Sequence, residues 1–151
     1  MRVEFKAAAI ADETVLLELR REFQAFESFP APLDEATNKA VLRQLLENEN
    51  FGKIWLILCD DEVVGYVVLT FGFSLEYAGR DALIDELFLR ETARGRGVGQ
   101  QAIVTVEDFC RSQHIKAAHL EVEHENAAAR NLYHKTGFVD YKRRFLTKWI
   151  D

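Results

Sequence analysis

The chain has 151 residues, 48% hydrophobic and 29% charged, with a formal net charge of −6. That length suits one domain over residues 1–151 with a proper core, and the composition excludes a disordered chain. An acidic chain excludes nucleic acid as a partner, and Met1 to Asp12, a short mixed run containing Glu4, reads as neither signal peptide nor membrane span, so a cytoplasmic protein is expected.

Val3 to Ala7 reads as a first strand. Asp12 is placed to cap a helix in which Leu16, Leu19, Phe23 and Phe26 recur at helical spacing, and Phe29-Pro30-Ala31-Pro32 breaks it. Asp34 caps a second helix with Val41, Leu42, Leu45 and Leu46 as its buried stripe. Two apolar, branched runs, Lys53 to Cys59 and Val63 to Phe71, flank Asp60-Asp61-Glu62 and predict a β-hairpin. Phe71 to Asp81 is a polar, glycine-bearing connection, and Ala82 to Leu89 continues the sheet.

From Val98 the apolar residues Ala102, Val106, Phe109 and Cys110 predict a third helix, and Ala117 to Glu123 alternates as a strand. Asn126 caps a fourth helix that Gly137 ends. Phe138 to Tyr141 and Arg143 to Ile150 read as the last strands. The order β-α-α-β-β-β-α-β-α-β-β predicts an α/β chain of the α+β kind, a mixed sheet with helices on both faces. Cys59 and Cys110 lack metal spacing or an adjacent redox partner and read as small apolar residues. His114, His119, His124 and His134 are scattered at surface or strand-end positions, and no metal is expected.

Chemistry concentrates between Leu83 and Cys110. There a strand runs into Arg94-Gly95-Arg96-Gly97-Val98-Gly99-Gln100, so glycines stand where a helix begins. A helix start offers unpaired N–H groups and partial positive charge, which makes a phosphate or pyrophosphate the default ligand. Arg90, Arg94, Arg96, Arg130 and Lys135 form a local basic island in an acidic chain. No Gly-Lys-Ser/Thr comes after the glycines, which excludes a Walker loop. A dinucleotide fingerprint would need a small residue where Gln100 stands, although Glu121 and Glu123 lie roughly 20 residues on, as its ribose-binding acid would.

Arg94-x-x-Gly97-x-Gly99 directly after a strand resembles the pyrophosphate loop of the GNAT superfamily of N-acetyltransferases. The segment Asn126 to Phe138 is similar to that family's Asn-x-x-Ala-x-x-Leu-Tyr-x-x-x-Gly-Phe pattern, and the element order agrees over the whole chain. One departure is Glu91-Thr92, where the family often carries Pro-Glu. The resemblance implies the GNAT fold, with the sheet splayed between its fourth and fifth strands and coenzyme A in the cleft. It implies that the pantetheine arm of acetyl-CoA pairs with the backbone of Leu87, Phe88 and Leu89. Beside Arg94, the pyrophosphate would meet Gly95, Arg96, Gly97, Val98, Gly99 and Gln100. Asn126 would face the pantetheine, and Ala129 would leave it room.

Amide formation needs a neutral amine and a proton for the leaving thiolate. Strand alternation is expected to send Asp85 and Glu86 to opposite faces, so that one of them serves the cleft. Asp85 matches the family's acceptor-site carboxylate, and Tyr133, two helical turns after Asn126, matches its usual thiolate protonator. Glu86 and Glu27 are further candidates for substrate binding. Glu27, Glu76 and Asp81 fall in connections that line acceptor sites in the family, which implies a small cationic amine as acceptor. A protein or peptide amine, a non-catalytic acyl-CoA-binding module and a nicotinamide-dependent reductase are the alternatives, and a homodimer is left open.

Overall fold

The structure, a computed structural model, describes residues 1–27 and 33–151; the helix break expected at Phe29 to Pro32 lies outside them. The chain divides into two compact units, 1–121 and 122–151.

The first unit is built on a five-stranded sheet whose spatial order follows the chain: β1 (Val3–Ala7), β2 (Gly52–Cys59), β3 (Glu62–Ser74), β4 (Gly79–Leu89) and β5 (Ala117–Leu120). The first three pairings are antiparallel and the last, β4 with β5, is parallel. A parallel pair needs a crossover, which helix α3 (Val98–Ser112) supplies. The β2–β3 turn holds Asp60 and Asp61 at φ 48° and 68°, the left-handed pair that matches strand twist and that a short polar side chain tolerates. The next hairpin is longer than expected. The connection read over Phe71 to Asp81 is strand on both sides of a four-residue turn, 75–78, because Phe71 pairs with Ala82, stacks on Phe109 and lies under the Arg80 guanidinium.

Helices α1 (Glu13–Phe26) and α2 (Glu35–Leu46) cover one face, where Leu16, Leu19 and Leu42 pack on Ile54, Leu56, Tyr66, Val68 and Phe88. Each such leucine, fully buried, contributes about 1.5–3 kcal/mol. Helix α3 covers the other face through Val98 and Ala102, packed with Ile57, Val64, Leu87 and Leu89. Asp34 caps α2 as expected, accepting from the Thr37 N–H at 2.7 Å. Asp12 stands at the N-cap position of α1 as expected, but its carboxylate turns back to accept from the Ala9 N–H at 2.9 Å and closes a 3-10 turn at Ile10–Asp12. Glu13, buried in the first turn of α1, binds Arg43 of α2 at 2.6 Å and joins the two helices.

The expected stripe of α2 is partly displaced: Val41 is exposed, and Asn38 is buried instead. The reason is polar. Arg20 of α1 lies against the sheet with its Nη1 donating to Asn38 Oδ1 at 2.9 Å, while its Nε and Nη2 grip Glu86 of β4 at 3.0 Å each. The Tyr66 hydroxyl donates to the same carboxylate at 2.8 Å.

The second unit contains helix α4 (Ala127–Lys135), capped by Asn126 Oδ1 accepting from the Ala129 N–H at 3.1 Å. Two strand expectations are corrected. β5 stops at Leu120 instead of Glu123, because its ladder with β4 ends there. Residues 138–151, read as two strands, form none among the described residues, since apolar alternation supplies side chains for a sheet but not the ladder partner that makes one.

Arg20→Met removes the charge while keeping most of the buried stem, so Glu86 is left desolvated beside the Tyr66 hydroxyl alone. The expected loss is about 3–5 kcal/mol in urea unfolding; a loss below about 1 kcal/mol would show that water reaches the carboxylate.

Candidate active site

Strand β4 carries a β-bulge. Leu69 pairs with Ile84 and Val68 with Glu86, so Asp85 is an extra residue with no partner on β3. Leu83, opposite Thr70, and Glu86, opposite Val68, share the α1–α2 face although they stand three residues apart, because the inserted Asp85 shifts the period-2 pattern of the strand.

The environments of Asp85 and Glu86 differ. Both Glu86 oxygens are engaged, by the Arg20 fork and by Tyr66, in a site where Glu86 is 9% exposed. The Tyr66 phenol is pushed well above its ordinary range by burial and then by the negative charge of Glu86. Asp85 stands at the surface of the strand, yet packing of its carboxyl among the strands raises its pKa. Glu86 and then Glu121 add to that rise, and the Arg20 charge opposes it. A carboxylate raised in this way holds a proton more readily than an ordinary aspartate.

The bulge also ends the pairing of β4 with β5, whose last register pair is Ile84 with Leu120. Beyond it, Leu87, Phe88 and Leu89 pair with β3 on one side, and their other backbone edge lies past the β5 ladder. The Leu89 carbonyl accepts from Arg94 Nε at 2.8 Å, which holds the Arg94 guanidinium over the Phe26 ring at 4.4 Å, beside the glycine turn. A 3-10 turn at Glu91–Ala93 forms where the chain departs from the Pro-Glu pattern, and it buries Ala93.

Gly95 and Gly97 have φ of +70° and +80°, and a Cβ at either would meet nothing within 4 Å. The glycines thus serve a left-handed backbone with open space above it. Gly97 is the N-cap of α3, with no side chain to cap it and no acid in the first turn. The first intrahelical bond there is Gln101 N–H to Gly97 O at 3.2 Å, so the amides of Val98, Gly99 and Gln100 precede any carbonyl within the helix. Val98 is itself buried and offers its backbone alone. Arg96 is exposed in the turn. Of the basic island, Arg90 is committed elsewhere, to Glu22 at 2.9–3.1 Å and to the Val63 carbonyl at 3.0 Å, and Arg130 donates to the His124 carbonyl.

Glu27 is half-buried at the C-cap of α1, its N–H donating to Phe23 O at 2.8 Å. Asp81 lies within β4, not in a connection, and its carboxylate accepts from His119 Nε2 at 3.1 Å, with Tyr77 edge-on to the imidazole at 4.7 Å. Sequence reasoning misses that pair because it treats His119 as a strand-end residue; its alternation with Glu121 toward the acidic face is the available signal. Asn126, Ala129 and Tyr133 belong to the second unit, on the half-buried side of α4 with Leu132, where the Tyr133 ring meets Phe138 edge-on at 5.9 Å. Among the described residues no group of three His, Cys, Asp or Glu is placed to hold a metal ion, and no helix is long and apolar enough to cross a membrane. Cys59 and Cys110 are buried free thiols, as expected.

The sequence profile of the Acetyltransferase (GNAT) family matches residues 15–138. The chain belongs to this family. An uncharacterized N-acetyltransferase of Bacillus subtilis strain 168, YhfO, is 27% identical over 145 residues, spanning 92% of this chain and 95% of its own length. The integron cassette protein HFX_CASS3, from the mobile metagenome of Cole Harbour Salt Marsh, is 33% identical. Its crystal structure superposes with a TM-score of 0.85 over 97% of this chain and 90% of that one. A predicted acetyltransferase of Clostridium acetobutylicum crystallised with acetyl-CoA shares the fold at 16% identity, with a TM-score of 0.82 over 97% and 96% of the two chains. The GNAT fold is thus the architecture of this acetyltransferase, and acetyl-CoA is the acyl donor of its family. The residues fit such a donor: two left-handed glycines under open space, first-turn amides and no acid in the first turn of α3 suit a pyrophosphate.

Gly97→Ala and Gly97→Asp carry the same backbone strain, about 1–3 kcal/mol at this φ, and should melt at similar temperatures. Gly97→Asp adds a negative charge at the helix start and is expected to abolish acetyl-CoA binding by calorimetry. Unchanged affinity in both variants would place the pyrophosphate elsewhere.

Proposed function

We propose that this acetyltransferase moves the acetyl group of acetyl-CoA to the primary amine of a small cationic acceptor by direct attack in a ternary complex. The observation that carries the reading is the bulge. It leaves Asp85 as the unpaired residue beside Glu86, which the Arg20–Tyr66 network holds. Asp85 is the carboxylate with a raised pKa, suited to receive the proton of an ammonium whose free pKa is near 10.4. Glu86, in turn, contributes fixed negative charge to the acceptor side.

Acetyl-CoA supplies an activated acyl carbon. Leu87, Phe88 and Leu89 offer a strand edge to its pantetheine arm. The turn from Arg94 to Gln100 offers N–H groups and positive charge to its pyrophosphate. Asn126, whose Oδ1 is spent on capping α4, offers its carboxamide N–H, and Ala129 offers a small surface. Asp85 takes the ammonium proton and releases it to solvent; as the C–N bond then forms and the C–S bond breaks, the second nitrogen proton passes to Asp85 and the leaving sulfur takes the proton of Tyr133, which regains one from solvent. The cationic acceptor is supported by the acids Asp81, Asp85 and Glu86 along β4, with Glu27 at the end of α1. An assay panel of polyamines, amino sugars and amino acids tests the class; turnover on none of them would favour a binding module.

Because the Asp85 pKa is raised, the acid limb of kcat should lie above the ordinary carboxylate range, activity rising with pH as Asp85 ionises. In Asp85→Asn that limb should vanish, with the largest rate loss below the acceptor's pKa and smaller losses where the amine is already neutral. Folding disfavours the ionised form of a group whose pKa is raised. The variant should therefore be at least as stable as the parent above the ordinary carboxylate range, and a lowered melting temperature there would mean that the rate loss is structural.

Tyr133→Phe keeps the ring against Phe138 and removes the hydroxyl. Its kcat should fall roughly 10- to 10³-fold with acetyl-CoA affinity nearly unchanged. Wild-type turnover would assign Tyr133 to packing.

A further inference from the structure

A cleft of about 990 Å³ opens in the first unit at the end of the sheet where β2 and β4 begin and where β1, α2 and α3 finish. That volume lies at the upper end of what small-molecule sites offer. The glycine turn is at the opposite end of α3, whose 15 residues rise about 1.5 Å each, so the cleft stands on the order of 20 Å from it.

The two sides of the cleft differ in character. Leu45 and Leu46 of α2, with Ile54 of β2, make one side aliphatic. The other is aromatic and basic. Phe71 of β3 and Phe109 of α3 stack at 6.0 Å with 19° between their planes. Lys53 Nζ stands 5.0 Å from the Phe109 ring and 5.4 Å from that of Trp55, and the Arg80 guanidinium stands 5.3 Å from the Phe71 ring.

These two cations lack an acidic partner. Lys53 is the one charged residue of β2 and is half-buried, yet its ammonium makes no hydrogen bond or ion pair among the described residues. Arg80, also half-buried, spends Nη1 on the Gln113 carbonyl at 3.1 Å and forms no ion pair among them either. The acids around them are committed elsewhere: Glu107 and Asp108 to Arg111, and Asp81 to His119. The acid that does line the cleft, Glu49, is exposed on the turn after α2. Ring faces attract a cation but accept none of the N–H bonds that an ammonium or a guanidinium has to give. In a chain of net charge −6, two half-buried cations without a counter-charge mark a place for an anion from outside.

We propose that this cleft is a second ligand site, apart from the glycine turn, and that it takes a small aromatic carboxylate. The carboxylate would accept from Lys53 and Arg80, while a flat ring lies against the Phe71–Phe109 pair and the aliphatic side. Acetyl transfer plays no part in this assignment.

The test uses the full chain with phenylacetate as the probe. By calorimetry phenylacetate should bind, and the uncharged phenylacetamide should bind at least about tenfold more weakly. Inorganic phosphate, which has no apolar body, should also bind more weakly than the acid. In amide spectra the shifts caused by phenylacetate should centre on Gly52, Lys53, Phe71, Gly72 and Gln113, and saturating acetyl-CoA should leave its affinity unchanged. Lys53→Met and Arg80→Gln should each lower the affinity roughly tenfold with unchanged far-UV circular dichroism. Should either variant fail to fold, the acid and amide pair together with the shift map of the unaltered protein decides. Equal affinity for acid and amide, phosphate binding as tightly as the acid, shifts centred on residues 94–100, competition by acetyl-CoA, or no binding at millimolar phenylacetate would each overturn the proposal.

Discussion

The grip of Arg20 on Glu86 is the interaction on which the rest of the first unit depends. Burying either charge alone costs several kcal/mol. The fork of two 3.0 Å bonds, the Tyr66 hydroxyl at 2.8 Å and Asn38 on the remaining guanidinium nitrogen offset that cost only as a set. The set spans α1, α2, β3 and β4, so it fixes where the two helices sit on the sheet. It also fixes the register of β4 beside its bulge, because Glu86 must face Tyr66 and Val68 for the fork to close. A purely apolar contact there would tolerate a slip of register; a bidentate ion pair does not.

From that constraint comes the distribution of charge along β4. With Glu86 held by its partners, Asp85 is the neighbouring acid whose proton affinity responds to its surroundings, and the response is upward because packing, Glu86 and Glu121 outweigh the pull of Arg20. A few residues later the same strand runs into a turn of opposite character, with Arg94, Arg96 and the N-terminal amides of α3. One strand thus runs from an acidic end to a basic turn, a separation of charge that supports the acetyl transfer proposed above, with amine and anionic acyl donor approaching from different sides.

The bulge links the two ends mechanically. By inserting Asp85 it stops the β4–β5 ladder at Ile84 and leaves the next stretch of backbone edge beyond β5. A continuous ladder would close the sheet there. The cost is an unpaired stretch of strand, and the antiparallel pairing with β3 together with the packing of Leu87, Phe88 and Leu89 on both faces compensates for it.

The amino-acid order by itself determined the family, the glycine turn and most elements. Those signals are local: φ above zero demands glycine at Gly95 and Gly97, helical periodicity marks α1 and α3, and Asp34 and Asn126 cap the helices that start beside them. Only the tertiary structure decided that Asp85 has no partner on β3, that Asn38 and not Val41 is buried, and that Asp81 meets His119. Each of those depends on partners far away in sequence: Val68 and Leu69 for the bulge, Arg20 for Asn38, the parallel register of β5 for His119. The same reason explains the tail. The apolar residues from Val139 to Ile150 announce a strand, but a strand exists only where another edge receives it, and no pattern within fourteen residues says which edge that is.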